Sequence, residues 1–357
     1  MTEVAGTERV WTVPADLAAR IHAEPRPADA QSSWELSIAG YLYLGGLGAG
    51  AFIVATVAGW LGLSLAPTGA AVLGDWVWDW SPALVLWGPF VTALGASLLV
   101  FHLGRNRSLF YTACRNPRTS WLARGFLILT AFIVVGCLLA LIAIAAPSWP
   151  DRLPGLWRFA EVVGVLLASA TAVYTGLLLR SIRFIPAWNA TLIPLLFLVS
   201  AISTGAMGVT VGAMLHGYLT GDAGSAHDLV RWLEALEVPL ITTEAALLAL
   251  YIGRLRRGKP EGALAARTWL SGRWRYGFWG GIVGLALALP FVLTLVNGAL
   301  GSNTVALAAA ASVLTGGFML RAGILAVGVK EAPPLYRLAE WRARHPKVGA
   351  GPAPERS

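Results

Sequence analysis

The chain has 357 residues, 56% of them hydrophobic and 13% charged, with a mean hydropathy of +0.65 and a formal net charge of +8. Soluble domains carry about 25% charged residues, so this composition excludes a soluble enzyme and a disordered chain. Unbroken apolar runs also exclude an outer-membrane barrel, whose strands alternate apolar and polar residues, and the positive charge lies in connections beside those runs, which points to membrane orientation and not to nucleic acid.

The reading is an all-α polytopic membrane protein, a bundle of eight transmembrane helices with both termini on the same side. Residues 1–35 form a polar arm, 36–329 the membrane domain and 330–357 a basic tail. Trp34, Glu35 and Tyr41 open the first span, about Ile38 to Leu63, which is no signal peptide because a long polar stretch precedes it. Its Gly45, Gly46, Gly48 and Gly50 allow close backbone approach to a neighbour. The second span, about Pro82 to Leu103, closes on His102 and Arg105; the third, Trp121 to Ala146, begins beside Arg124. The fourth, Phe159 to Leu179, carries Tyr174 near its end. The fifth, Ala190 to Leu219, holds Gly205, Gly208 and Gly212, again packing glycines, since no strand and turn surround them as a dinucleotide fingerprint requires. The sixth is Leu229 to Gly253, the seventh Tyr276 to Val296 and the eighth Asn303 to Val329, with Pro194, Pro239 and Pro290 placed near helix ends.

Lys and Arg in the connections set the orientation. The side bearing the termini holds Arg9, Arg20 and Arg26, then Arg105, Arg107, Arg115 and Arg118, then Arg180 and Arg183, seven residues from Arg254 to Arg275, and six from Lys330 onward. The other side has only Arg152, Arg158 and Arg231, and it gathers Trp76, Trp78, Trp80, Trp149 and Trp157 as interfacial aromatics. Both termini are therefore expected in the cytoplasm of a bacterial cell, in the inner membrane.

Ionisable residues inside spans are the sharpest functional signal, because each is costly in hydrocarbon unless paired or hydrated. Arg321 and Glu244 lie at a similar depth in the eighth and sixth spans, so an interhelical ion pair is expected, with a hydrated crevice as the alternative. His227, Glu234, Glu237 and Glu244 fall on one stripe of the sixth helix. Such a line can pass protons or hold water, although interfacial solvation of the first three is the favoured reading. Cys114 and Cys137 form no CxxC, so the chain holds no iron–sulfur cluster of its own. His102 and His216 end their spans at opposite faces and cannot ligate one iron, which predicts no haem. At the cytoplasmic mouth, Trp34, Glu35, Tyr41, His102, Arg105, Arg124 and Tyr174 bring aromatic walls and hydrogen-bonding groups to one depth, suiting an amphipathic ligand with an apolar tail.

Five strings resemble the NrfD/PsrC family, the membrane subunits of polysulfide-reductase-like complexes: AGYLYLGGLGAGA from Ala39, HLGRNRSLFYTACRNPRTSWLARG from His102, YTGLLLRSIRFIPAWN from Tyr174, ATLIPLLFLVSAISTG from Ala190 and GGFMLRAGILAVG from Gly316. They occur in family order. The resemblance implies a haem-free subunit, embedded in membrane lipid, that exchanges electrons between menaquinone or ubiquinone and a separate four-cluster ferredoxin-like iron–sulfur subunit, with a molybdopterin catalytic subunit beyond it. It implies a quinone site at the start of the first span and at the Tyr of the fourth, here the Trp34 to Tyr41 segment and Tyr174. Asn106 stands where many relatives have Pro. A cytoplasmic mouth would put the partner's catalytic machinery in the cytoplasm as well. The competing readings are a secondary transporter or ion channel, and a purely structural anchor.

Overall fold

The computed structural model describes residues 36–63, 70–73, 76–78, 83–104, 120–145, 149–220 and 227–330. In chain order they form α1 (Leu36–Trp60), a hairpin of β1 (Ala70–Leu73) and β2 (Trp76–Trp78), α2 (Ala83–Gly104), α3 (Trp121–Ala145) and the single turn α4 (Trp149–Arg152). These are followed by α5 (Pro154–Arg180), α6 (Leu192–Thr220), α7 (His227–Arg257), α8 (Pro260–Leu270), α9 (Gly277–Leu300) and α10 (Asn303–Ala326). Every backbone polar group in hydrocarbon must find its partner within the protein, and a helix meets that demand locally, so each apolar run becomes one. Among the described residues seven helices have the length and apolarity of a membrane span; in α2 the stretch of that character is Trp87–Leu99. A small hairpin, with Ala70 opposite Trp78 and Ala71 opposite Val77, lies between α1 and α2.

Helix ends differ from the expected spans where polar chemistry extends them. α5 starts at Pro154, whose fixed φ and lack of an N–H suit a first helical turn. α7 runs on to Arg257, with Arg254, Arg256 and Arg257 in its last turn, where cations favour the helix C-terminus. Two prolines are not at helix ends: Pro239 lies inside α7, and Pro290 lies within α9. The reason is that lipid leaves no better alternative than continuing the helix. Ahead of Pro290 the segment Gly277–Ala288 is wound as a π-helix, with the Leu289 N–H reaching the Gly284 carbonyl. A wider winding spares the proline ring its clash with the carbonyl four residues back.

α1 is the hub, packed against α2, α5, α6 and α10. Its glycines set the spacing: a Cβ at Gly50 would fall on the Ala201 carbonyl of α6, and one at Gly205 on the backbone of Gly50, so the two helices touch backbone to backbone. In lipid, where apolar surface gives no drive to associate, such close contact supplies the dispersion energy that holds helices together. α3 and α9 are peripheral and turn Leu138, Leu141, Val292 and Leu295 outward. α1 and α5 are antiparallel. At one end of the pair, Glu161 accepts hydrogen bonds from Trp60 Nε1 at 2.7 Å and Trp157 Nε1 at 2.9 Å, and pairs with Arg158 at 3.5 Å. At the other end lie Tyr41 and Tyr174. There too the last carbonyls of α10 are covered by side chains: Trp188 Nε1 donates to Ile324 at 2.8 Å, and Trp269 Nε1 joins the Val327 N–H on Gly323, at 3.1 Å.

Candidate functional site

Tyr41 on α1 and Tyr174 on α5 meet in the apolar cluster that contains Ile38, Leu42, Leu129 and Leu178. They are 0% and 1% exposed. α3 provides the opposite wall through Gly125, where a Cβ would overlap the Tyr174 ring, so glycine makes room for the phenol. The two phenols interact with one another, yet neither hydroxyl has a properly directed hydrogen-bond partner among the described residues. A buried hydroxyl left without a partner costs about 1–3 kcal/mol. Two such groups stand at one place, walled by aliphatic side chains, where a hydroxyl is otherwise normally hydrogen-bonded.

Of the other residues expected at this mouth, Trp34, Glu35 and Arg105 lie outside the described residues, as does the side chain of His102, whose backbone belongs to α2. Arg124 lies over the Trp121 ring at 4.8 Å.

A second polar set crosses the interior between α6, α7, α9 and α10. Arg321 is fully buried. Its Nη1 donates to the Gly317 carbonyl at 2.9 Å and to Ser200 Oγ at 3.0 Å, and its guanidinium sits between the rings of Tyr43 and Phe197, 5.6 and 5.5 Å from their centroids. Glu244, also buried, interacts with the Ser200 hydroxyl and with the Arg321 charge. The expected ion pair is therefore indirect: Arg321 and Glu244 share depth and charge, but Ser200 stands between them because the guanidinium is held by its own helix and by two rings. Space for that guanidinium comes from Gly46, where a Cβ would lie 2.8 Å from Nη2.

Further along α7, Glu237 is 0% exposed and accepts a hydrogen bond from Ser203 Oγ at 2.6 Å, while its second oxygen has no partner among the described residues. Glu234, one turn away, accepts from Asn297 Nδ2 of α9 at 2.7 Å. Glu237 is fully enclosed, so interfacial solvation does not describe it, whereas Glu234 lines a cavity together with His227 and Arg231. Hydropathy counting missed Ser200, Ser203, Asn297 and Tyr43. The readable signal was the pair of serines three apart in LVSAIS, since hydroxyls on one face of an apolar span need a polar neighbour.

A profile of the NrfD polysulphide reductase family matches residues 26–331. The protein is 31% identical to the C subunit of the polysulfide reductase of Wolinella succinogenes over 83% of its own length and 94% of the relative's. It is 29% identical to protein NrfD of Escherichia coli, with the same coverage of both sequences, and 28% identical to an NrfD homolog of Haemophilus influenzae over 76% of its own length and 86% of the relative's. A profile that spans most of the sequence, together with this identity, places it plainly: the protein is a multi-pass membrane member of the NrfD polysulphide reductase family.

Proposed function

We propose that the protein is the haem-free, quinone-binding membrane anchor of a multi-subunit oxidoreductase, exchanging electrons between the quinone pool and a separate iron–sulfur subunit. The observation that carries this reading is the Tyr41 and Tyr174 pair: two buried hydroxyls with no well-directed hydrogen-bond partner among the described residues beyond their contact with each other, amid aliphatic side chains at the end of the bundle where the basic connections gather. A quinone ring supplies two oxygens and two-electron chemistry, and its tail suits the surrounding leucines. Tyr174 and Tyr41 would hydrogen-bond the ring oxygens and fix its depth, and Glu35, just ahead of α1, or His102, near the end of α2, would accept its protons. Oxidation of a quinol yields two electrons and two protons. The electrons leave to a four-cluster ferredoxin-like iron–sulfur subunit docked over Arg105, Arg107, Arg115 and Arg118, and from there to a molybdopterin catalytic subunit. The charge distribution supports a bacterial inner-membrane location with both termini, the mouth and the partner on the cytoplasmic side. Menaquinone and ubiquinone satisfy the same contacts.

A photoreactive azidoquinone tests the site. In the assembled complex, peptide mass spectrometry should find the label on the segments of α1 and α5 that hold Tyr41 and Tyr174, with labelling suppressed by excess quinone. Label confined to other helices, or none that quinone displaces, would leave the protein as a structural anchor.

A further inference from the structure

At the end of the bundle where the basic connections gather, a cavity of about 250 Å³ lies between the last turn of α8, the connection into α9 and the end of α10. Leu264, Val327 and Val329 make its walls apolar, and Arg267 and Arg273, both exposed, stand over it. No carboxylate lines it. Two helix C-termini meet here, which would repel an anion if their carbonyls were bare. They are covered. The Arg267 carbonyl accepts the Ser271 and Gly272 N–H groups at 3.0 and 2.9 Å, and Ala326 at the end of α10 accepts Arg273 Nη2 at 3.2 Å. The Thr268 and Ser271 hydroxyls donate back to their own helix, so the donors left for a ligand are the two guanidinium groups.

From this arrangement we propose a site for an anionic phospholipid, with the headgroup phosphate on Arg267 and Arg273 and the chains along the outer face of α9. Each guanidinium carries five N–H donors in a planar fork that matches a phosphate, and Arg273 spends one of them on Ala326. Arg267 has no ion-pair partner among the described residues. The depth is that of lipid headgroups. Trp279 and Tyr276, 54% and 75% exposed, stand at the start of α9 with their polar edges bonded: Trp279 Nε1 donates to the Leu270 carbonyl at 3.1 Å, and Arg275 Nη2 to the Tyr276 hydroxyl at 2.7 Å. Exposed aromatic rings held this way at the end of a span mark the membrane interface. Farther along α9, Leu289, Val292 and Leu295 face outward, where acyl chains run.

Charge and shape together favour a lipid over a soluble anion. A free phosphate would satisfy the two arginines and leave the apolar walls bare, whereas a phospholipid brings both halves of the complement. Basic cavities between membrane helices at the more basic end of a bundle are where anionic headgroups collect. A phosphate bound here would also act as a tie. Arg267 belongs to α8, Arg273 to the connection, and Arg273 already reaches the end of α10, to which α8 is joined by the bond from Trp269 Nε1 to Gly323. The anion would neutralise two like charges and fix the short helix α8 on the membrane domain. None of this depends on what the tyrosine pair binds.

The test takes the full-length protein, purified in maltoside with any subunits it carries and stripped of lipid, and reads bound lipid by native mass spectrometry during titration with phosphatidylglycerol or with phosphatidylcholine of the same chains. The wild type is expected to bind a single phosphatidylglycerol in preference to phosphatidylcholine. Each basic group beside an anionic headgroup contributes a factor of about five, so Arg267→Gln should weaken phosphatidylglycerol about fivefold and the double variant with Arg273→Gln about 30-fold. Arg267→Lys should recover most of the loss, and Arg256→Gln, exposed on α7 and outside the cavity, should change nothing. Where the double variant fails to fold because Ala326 loses its donor, Arg267→Gln alone carries the test. Equal affinity for the two lipids, or phosphatidylglycerol binding unchanged in Arg267→Gln, overturns the site. Displacement of the lipid by millimolar inorganic phosphate would make it a site for a soluble anion, and loss of a co-purifying subunit from Arg267→Gln with lipid binding intact would make it a protein interface; either result overturns the proposal.

Discussion

Two buried tyrosines with opposite bonding give a controlled test of whether the Tyr174 hydroxyl is kept for a ligand. Tyr251 donates to the Ala187 carbonyl at 2.7 Å, whereas the Tyr174 hydroxyl has only the poorly directed Tyr41 phenol beside it. Both are fully or almost fully buried, so Tyr→Phe removes the same atom from the same kind of surroundings. Tyr251→Phe strands a buried carbonyl between α5 and α6 and should lower stability by about 1–3 kcal/mol. Tyr174→Phe strands no carbonyl and removes only the poorly directed contact with the Tyr41 hydroxyl, so it should change stability by less than about 0.5 kcal/mol. Its cost should fall on the ligand instead. A neutral hydrogen bond is worth about 0.5–1.5 kcal/mol, so quinone affinity should weaken about 2- to 13-fold. Equilibrium unfolding in mixed micelles reads the first quantity, and the KM for a quinol analogue in the assembled complex, backed by direct quinone titration, reads the second. If Tyr174→Phe loses as much stability as Tyr251→Phe while KM stays unchanged, the hydroxyl is structural and the site is elsewhere.

The Arg321 cradle makes a prediction of the same kind. Arg321→Met leaves Glu244 buried without its counter-charge and frees Ser200 and Gly317, so it should cost about 3–5 kcal/mol in mixed-micelle unfolding, while the double variant with Glu244→Leu should recover most of that; additive costs would show that the two residues are not coupled through Ser200. At the α1 and α6 crossing, Gly205→Val drives a side chain into the Gly50 backbone, which cannot repack, and should cost about 3 kcal/mol or more. Gly253→Ala on α7, where nothing lies within 4 Å of the new Cβ, should be neutral or stabilise by up to about 1 kcal/mol. Equal effects of the two glycine variants on complex yield and unfolding would mean that close backbone contact does not hold the bundle.

How much of this was legible depends on which coordinate of a helix is being asked for. Position along the axis reads directly from the sequence, because lipid forces each apolar run into a helix of fixed rise; this is why Tyr41 and Tyr174, counted from opposite chain directions, meet at one depth, and why Glu244 shares a depth with Arg321. Rotation about the axis does not read so easily. In a soluble helix the apolar stripe marks the inward face, but here both faces are apolar, since lipid and core are equally dry. Glu237 illustrates the difference. Its distance from the end of α7 suggests a solvated position near the surface, yet it is 0% exposed because the helix turns it toward Ser203 on α6. Arg321 reaches Ser200 and not Glu244 directly for a related reason: Gly46 clears a space for the guanidinium beside Tyr43 and Phe197, and no depth count contains that space. The informative letters for rotation are therefore the small and the polar ones. Gly50 opposite Gly205 says which faces of α1 and α6 touch, and two serines three apart say where α6 meets the carboxylates. Read as pairs across helices, these few residues orient the bundle, and the many leucines that make it a membrane protein leave its interior unspecified.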